Sequence, residues 1–400
     1  MRSGLPDLGL YRPLLSEPRF RAQALSGFLA QLSQGGTVLA LILLIQQARG
    51  SLGLAGAAAA GFVIGAAIAR PIQGRLIDTQ GPRNVLLLIA VTHVAALVAL
   101  VPIIRSDLAG VAVVAIALVA GLGLPPVSQT QRLVWADLTG GDRTTVYSVI
   151  GLIQEGSILA GPLLVGVLAG LASPSAALIA VAVTSGVGLA WLGLLVARSD
   201  GRSPEDRRSS PLRERGVRLV MILELLFGIA LGGIEIGVPA LASSEGHPSV
   251  AGFLLAVTSI GGIAGALFYG GRRWFSPPRN QLVVLLALSA LGFALLVPIE
   301  SLIFAGAVLL ILGTVLTPVL TTLILLLDRA SPRILAEAFG WSSTSSAIGS
   351  GVGAAITGAL AQQHGAGPAF AAAAGACAVA VLVAATAPGQ PATSQPASPG

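Results

Sequence analysis

Twelve times along this chain an apolar run of about twenty residues gives way to a polar interruption, and that rhythm sharply limits how the chain can fold. The runs lie at roughly 22–46, 52–72, 84–104, 109–131, 144–168, 174–197, 218–241, 249–270, 280–299, 302–326, 336–360 and 366–386. As helices they match the thickness of a bilayer's hydrocarbon core, where every backbone polar group must find its partner inside the protein. Only 10% of the residues are charged and 54% are hydrophobic. A soluble domain carries about 25% charge, so this chain could not cover its own surface in water. The 51 glycines, many inside the apolar runs, suit helices that pack closely in lipid rather than β-structure. The expected fold class is an all-α integral membrane protein with twelve transmembrane helices.

Every one of the 23 basic residues is arginine, and all but Arg49 and Arg105 fall in the same alternate set of loops, tails and helix ends. Positive charge accumulates on the cytoplasmic side, so this asymmetry places both termini in the cytoplasm of a cell that inserts the protein in its inner (plasma) membrane. Spread over short loops in this way, a formal net charge of +6 does not make a nucleic-acid surface. The single cysteine, Cys377, lies in an apolar run, which excludes an intrachain disulfide framework and a cysteine metal cluster. No cleavable signal peptide is evident in the mixed polar segment that precedes the first run.

The longest polar connection, RSDGRSPEDRRSSPLRERGVR, falls midway along the chain. It divides the chain into an N-terminal six-helix bundle (1–197), a cytoplasmic linker (198–217) and a C-terminal six-helix bundle (218–387), followed by a disordered tail (388–400). The two bundles resemble each other. Pro82-Arg83-Asn84 opens the third run and Pro278-Arg279-Asn280 the ninth; Val101-Pro102 and Val297-Pro298 follow at the same spacing. Further on, Pro126 pairs with Pro318, Tyr147 with Phe339, Gly161 with Gly353 and Gly166 with Gly358. Two similar halves about a central axis are one way to build a solute carrier that opens alternately to each side.

Six plus six spans, both ends inside and a long central loop resemble the major facilitator superfamily over nearly the whole chain. The segment QGRLIDTQGPRN (73–84) carries the most specific likeness: Gly74, Leu76, Asp78, Gly81 and Arg83 match in register the superfamily's G-x-L-x-D-R-x-G-R-R loop between helices two and three. Thr79 and Pro82 replace two of its basic residues, and the second-half counterpart GGRRWFSPPRN lacks the aspartate. The resemblance implies a gating role for Gly74, Asp78, Gly81 and Arg83: Asp78 would face the start of span eleven, with Arg132 or Arg143 as neighbour. In purely local terms, Gly81 permits the turn and Pro82 starts the next helix.

Few ionisable groups fall inside the runs. Glu155, Glu224 and Glu235 each cost at least ~2.5 kcal/mol in the membrane unless compensated, so each is a candidate for proton coupling or for a structural pairing. Glu224 and Glu235 share one helical stripe about 16 Å apart. Gln31 and Gln34 lie on one face of the first span as candidates for the cavity wall or for interhelical bonding. Pro126, Pro162 and Pro318 are cavity candidates; Pro126 and Pro318 are also expected to bend spans four and ten. His93, in a span that is peripheral in the resembled fold, is a weak coupling candidate.

No phosphate loop, zinc signature or nucleophile elbow is present, so the expectation is a non-enzyme that uses no cofactor and no metal and draws energy from a gradient. Gly161-Pro162-x-x-Val165-Gly166 partly matches a helix-five motif of bacterial twelve-helix proton-coupled exporters. With no arginine read in the membrane interior, organic anions are disfavoured as cargo. The leading reading is a functional monomer exporting a small neutral or amphipathic solute against protons; the alternative is a proton-coupled importer of a small metabolite.

Overall fold

The computed structural model describes residues 7–106, 108–135, 143–196, 210–247, 250–330 and 335–387, and these are helical with short connections. A short helix α1 (Arg12–Ser16) precedes the first long one, α2 (Pro18–Arg49). The first half continues with α3 (Leu52–Gln80), α4 (Pro82–Arg105), α5 (Gly110–Leu122), α6 (Val127–Trp135), α7 (Arg143–Leu171) and α8 (Pro174–Leu195). The second half comprises α9 (Arg215–Ser244), α10 (Val250–Gly270), α11 (Pro278–Leu296), α12 (Leu302–Ala330), α13 (Leu335–His364) and α14 (Ala366–Thr386).

With α5 and α6 taken as one broken crossing, eleven crossings among the described residues are long and apolar enough to span a membrane. The twelfth, α13, has the length at 30 residues but is lowered in hydropathy by serines that face the interior. The chain is therefore an all-α, multi-spanning membrane protein, as its apolar rhythm predicts. Segment 198–209 of the expected linker and the expected tail at 388–400 lie outside the described residues. Within 210–217, the rest of the expected linker, Pro211–Arg213 forms a 3-10 turn and α9 is already under way at Arg215.

Packing repeats between the halves. Helix α2 packs on α7 and α8, as α9 packs on α13 and α14; α3 packs on α5, as α10 packs on α12; α4 packs on α8, as α11 packs on α14. The repeated prolines explain part of this symmetry. Pro82 and Pro278 stand in the first turns of α4 and α11, where the missing N–H has no helical partner to lose. Gly161 and Gly353 occupy matching crossings: a Cβ would press on Gly36 N and Leu32 O at 2.8 and 2.9 Å in the first case and on the Ile229 backbone in the second. Gly166 faces open space, so that part of the repeat has no packing role.

Helix ends are closed by side chains from neighbours. Arg49, one of the two arginines outside the main set, donates to the carbonyls of Ile104 (2.7 Å), Leu108 (3.0 Å) and Ser106. Arg279 donates to Ala384 O and Ala385 O, each at 2.7 Å. A cation at a helix C-terminus satisfies bare carbonyls and meets the negative end of the dipole.

The two expected proline bends differ. Span four breaks between α5 and α6, where Pro125 and Pro126 follow Gly123 and Leu124. Span ten does not: α12 runs through Pro318 unbroken. At the break, freed carbonyls find partners in α3 and α4. Gln73 Nε2 donates to Leu122 O and Leu124 O at 2.9 and 3.1 Å, and His93 Nδ1 lies 3.2 Å from Ala120 O. Gln73→Leu is expected to leave both carbonyls bare and to cost about 1–3 kcal/mol. Thermal unfolding of the purified variant measures this, and an unchanged unfolding temperature would mean that other groups take over.

Candidate functional site

The halves meet along two seams, α3 against α13 and α7 against α10. At the first, Asp78, the last acid of α3, accepts the N–H of Glu337 at 2.8 Å and the N–H of Ala336 at 3.4 Å. It thereby caps the first turn of a helix belonging to the other half, where bare N–H groups and the positive dipole end favour a carboxylate. The approach requires glycine on both sides. A Cβ on Gly74 would collide with the Ala336 carbonyl, and one on Gly340 would press into Arg70 and Pro71. Deeper in the seam, Arg70 donates to Ser343 O at 3.0 Å and Thr344 to Ala67 O at 2.8 Å.

At the second seam Arg143 donates to both carboxylate oxygens of Asp328 at the end of α12. Thr145 donates to Gly270 O at 2.7 Å. The N-terminal segment adds to this closure: Tyr11 donates to Leu267 O and Ala266 O at 3.0 and 3.2 Å, and Asp7 N–H to Gly271 O at 2.8 Å. Burial pushes the Tyr11 phenol well above its ordinary range, so it remains a donor. Of the hydrogen bonds between halves among the described residues, the farthest from this end involve Ala67, Glu155 and Thr317. They stand thirteen, twelve and thirteen residues along α3, α7 and α12 from the ends concerned, or about 20 Å. The molecule is thus tied shut at one end.

A central cavity of about 290 Å³, walled by both halves, begins alongside the inner ties, at Arg70, Gln73 and Ser342, and extends past them to Gln34, Glu235 and Ser350. Gln34, Arg70, Gln73, Pro126, Ser128, Gln129, Arg132 and Gln154 face it from the first half; Glu224, Glu235, Ser342, Ser343, Ser346 and Ser350 face it from the second. Ser342 donates to Glu224 Oε1 at 3.0 Å and Ser350 to Glu235 Oε2 at 3.2 Å, so serines at α-helical spacing on α13 solvate the two glutamates of α9. Arg132 is buried with its guanidinium 5.2 Å from the centre of the Phe339 ring.

The structure thus brings Gln34, Pro126, Arg132, Glu224 and Glu235 together in one cavity. Other candidates stand elsewhere. Glu155 lies in the α7/α10/α12 seam, where it accepts from Thr317 at 2.9 Å and Gly262 leaves room for it. Gln31 is buried between α2 and α6 with the Ser128 hydroxyl 3.4 Å away. Pro162 packs on Gly35 of α2, and Pro318 lines a lateral pocket between α10, α11 and α12. Gly81 makes the turn at φ +82°, a left-handed conformation that favours glycine. Arg83 is half-buried beside that turn.

One expectation is overturned. The sequence pattern puts Arg70 and Arg132 at cytoplasmic helix ends and leaves no arginine in the membrane interior. Yet α3 continues to Gln80, ten residues or about 15 Å beyond Arg70, and span four carries Arg132 buried at the cavity wall. Hydropathy falls at Pro71 and Gln73, which suggests the end of a span, whereas the helix passes through both.

Two similar halves of six crossings each, joined at one end and enclosing a polar cavity, define a secondary active transporter that works by alternating access. The chain belongs to the major facilitator superfamily, whose family profile matches residues 24–334. It is a lipid-embedded transporter of a small molecule and not an enzyme. Among solved structures it is similar to the human organic anion transporter MFSD10 (TETRAN), at 19% identity and a TM-score of 0.73, over 93% of this chain and 99% of that one. A bacterial homologue of the iron transporter ferroportin in an outward-facing state shares 15% identity at a TM-score of 0.70, over 91% of this chain and 98% of that one. The fucose:proton symporter FucP of E. coli shares 16% identity at a TM-score of 0.68, over 91% and 97%. No curated protein sequence matches the chain.

Proposed function

We propose that the protein is a proton-coupled symporter that takes up a small polar solute across the plasma membrane, with both termini cytoplasmic and one chain as the working unit. The observation that carries this reading is the cavity lining. Arginines, glutamates, glutamines and serines converge on it from both halves, which suits a hydrophilic solute and not the amphipathic cargo of an exporter. The arginine distribution assigns the tied end to the cytoplasm, so the conformation corresponds to a carrier loaded from outside. The fold likeness to a fucose:proton symporter is compatible with this direction. Asp78, with Gly74, Gly81 and Arg83 around its turn, and the Arg143–Asp328 pair act as the cytoplasmic gate. Among the three candidate carboxylates, Glu224 is assigned the proton: it faces the cavity, is buried, and feels the charge of Arg132.

Uptake of labelled sugars, nucleosides, amino acids and monocarboxylates into right-side-out proteoliposomes, with acid outside, tests the reading. One class should accumulate and lose that accumulation when a protonophore is added. Glu224→Gln should lower gradient-driven accumulation roughly tenfold or more while sparing exchange across equal pH. Accumulation confined to inside-out vesicles with an acidic lumen would reverse the assignment to export.

A further inference from the structure

The wall of the central cavity contains a buried arginine. Arg132 is 7% exposed, and none of its nitrogens makes a hydrogen bond among the described residues; its Nε is fully buried and unpartnered. Its guanidinium lies over the face of Phe339, 5.2 Å from the ring centre. A guanidinium has five donors in a fixed fork, and a buried charge left without a hydrogen-bonded partner is expensive. The neighbours sharpen the problem. Glu224, on α9, attracts Arg132 through space without an ion pair, while Arg70, on α3, repels it; Tyr147, on α7, also faces it. Glu224 is held by Ser342 and Ser346 of α13.

We infer that the transported solute is a small monoanion, a carboxylate, whose charged end docks on Arg132 with Arg70 alongside. This rests on the symport reading above and deepens it. The cavity wall carries two arginines and two glutamates, Arg70 and Arg132 against Glu224 and Glu235. With both glutamates ionised these charges cancel, and an anion would make the site negative. A proton on Glu224 frees Arg132 from its carboxylate neighbour and leaves one positive charge, which a monoanion neutralises. A dianion would leave a buried excess. Proton and anion therefore favour each other's binding, and the reciprocity of linked equilibria makes the coupling symport. Planar guanidinium matches a carboxylate with two parallel bonds. A volume of about 290 Å³ has room for roughly ten water-sized groups, and the remaining serines and glutamines suit hydroxyls on such a molecule.

The test uses the full chain in nanodiscs, with lactate, pyruvate and benzoate as probes and the matching amides as neutral controls. Carboxylates should raise the unfolding temperature and amides should not, and a weakly buffered solution should lose about one proton per anion bound. Arg132→Gln should weaken carboxylate binding roughly tenfold to a hundredfold, and Arg132→Lys should recover part of it. Glu224→Gln should bind the anion without proton uptake. Equal stabilisation by amides, no stabilisation by any carboxylate, or full carboxylate binding by a folded Arg132→Gln protein would overturn the anion site. Carboxylate binding with no proton uptake in the wild type would instead uphold the site and refute proton symport.

Discussion

Gly340→Leu is expected to lower transport by roughly tenfold to a hundredfold while leaving each half folded. The side chain would enter the crossing of α3 and α13, where the added Cβ alone presses on Arg70 and Pro71. Overpacking of this kind costs about 1–3 kcal/mol, and each 1.4 kcal/mol is tenfold in a two-state balance. The cost is paid only in the state in which the two helices touch. Within its own half α13 packs on α9 through a different face, at Gly349 and Gly353, so the fold is spared. Gly74→Leu attacks the same crossing from the other side and should act in the same direction. The measurement is side-specific labelling of a cysteine placed at Ser346 in a Cys377→Ser background. Reactivity from the cytoplasmic side should rise as the tied end fails to close. Wild-type labelling and transport in Gly340→Leu would show that this crossing does not set the conformational balance.

The contrast between Gly74 and Gly340 shows what could be read from the chain. Gly74 stands in a segment with a known pattern, QGRLIDTQGPRN, so attention falls on it. Gly340 is one glycine among 51, and only the packing of α3 on α13 singles it out. Helix number and extent were largely legible, because hydropathy over twenty residues reports lipid contact directly. The repeat was legible where proline starts a helix or glycine allows a crossing. What failed was the assumption that a span ends where hydropathy falls. Arg70 and Gln73 both lie in the continuing helix α3 and turn inward, one to the cavity and the other to the carbonyls freed by the break in span four. The serines at 342, 346 and 350 carried a legible signal: residues four apart share a helical face, and a polar face on a membrane helix must look into the protein. Asp328 carried a weaker one, as an acid at the end of a span with no visible partner, since Arg143 is remote in sequence. Glu155 went the other way. It shares a helix with Gln154, yet Gln154 faces the cavity and Glu155 the seam, a rotation of one residue that hydropathy cannot fix.

Arg143→Gln is expected to be more damaging than removing Arg143 and Asp328 together. Asp328 is 6% exposed and Arg143 31%, and the pair joins α7 of one half to α12 of the other. Taking away the arginine removes the main partner of a buried carboxylate, which costs about 3–5 kcal/mol for a fully buried pair; the partial exposure of Arg143 and the remaining interactions of Asp328 with Tyr147 and Arg329 put this case toward the lower value. Arg143→Gln/Asp328→Asn leaves two neutral amides that can bond to each other, and most of the penalty disappears. Because the bond crosses between halves, its loss falls on the tied conformation, and the protein should open to the cytoplasm without unfolding. Asp78 and Tyr11 still bridge the halves after the pair is broken, so the balance moves without the gate being lost. A double-mutant cycle over transport rate and cytoplasmic labelling at position 346 separates the contributions. Coupling of at least about 1 kcal/mol between the two sites would mark the pair as a gate contact. Strict additivity would reduce it to two independent charges and leave the closure to the other contacts between the halves, Asp78 and Tyr11 among them.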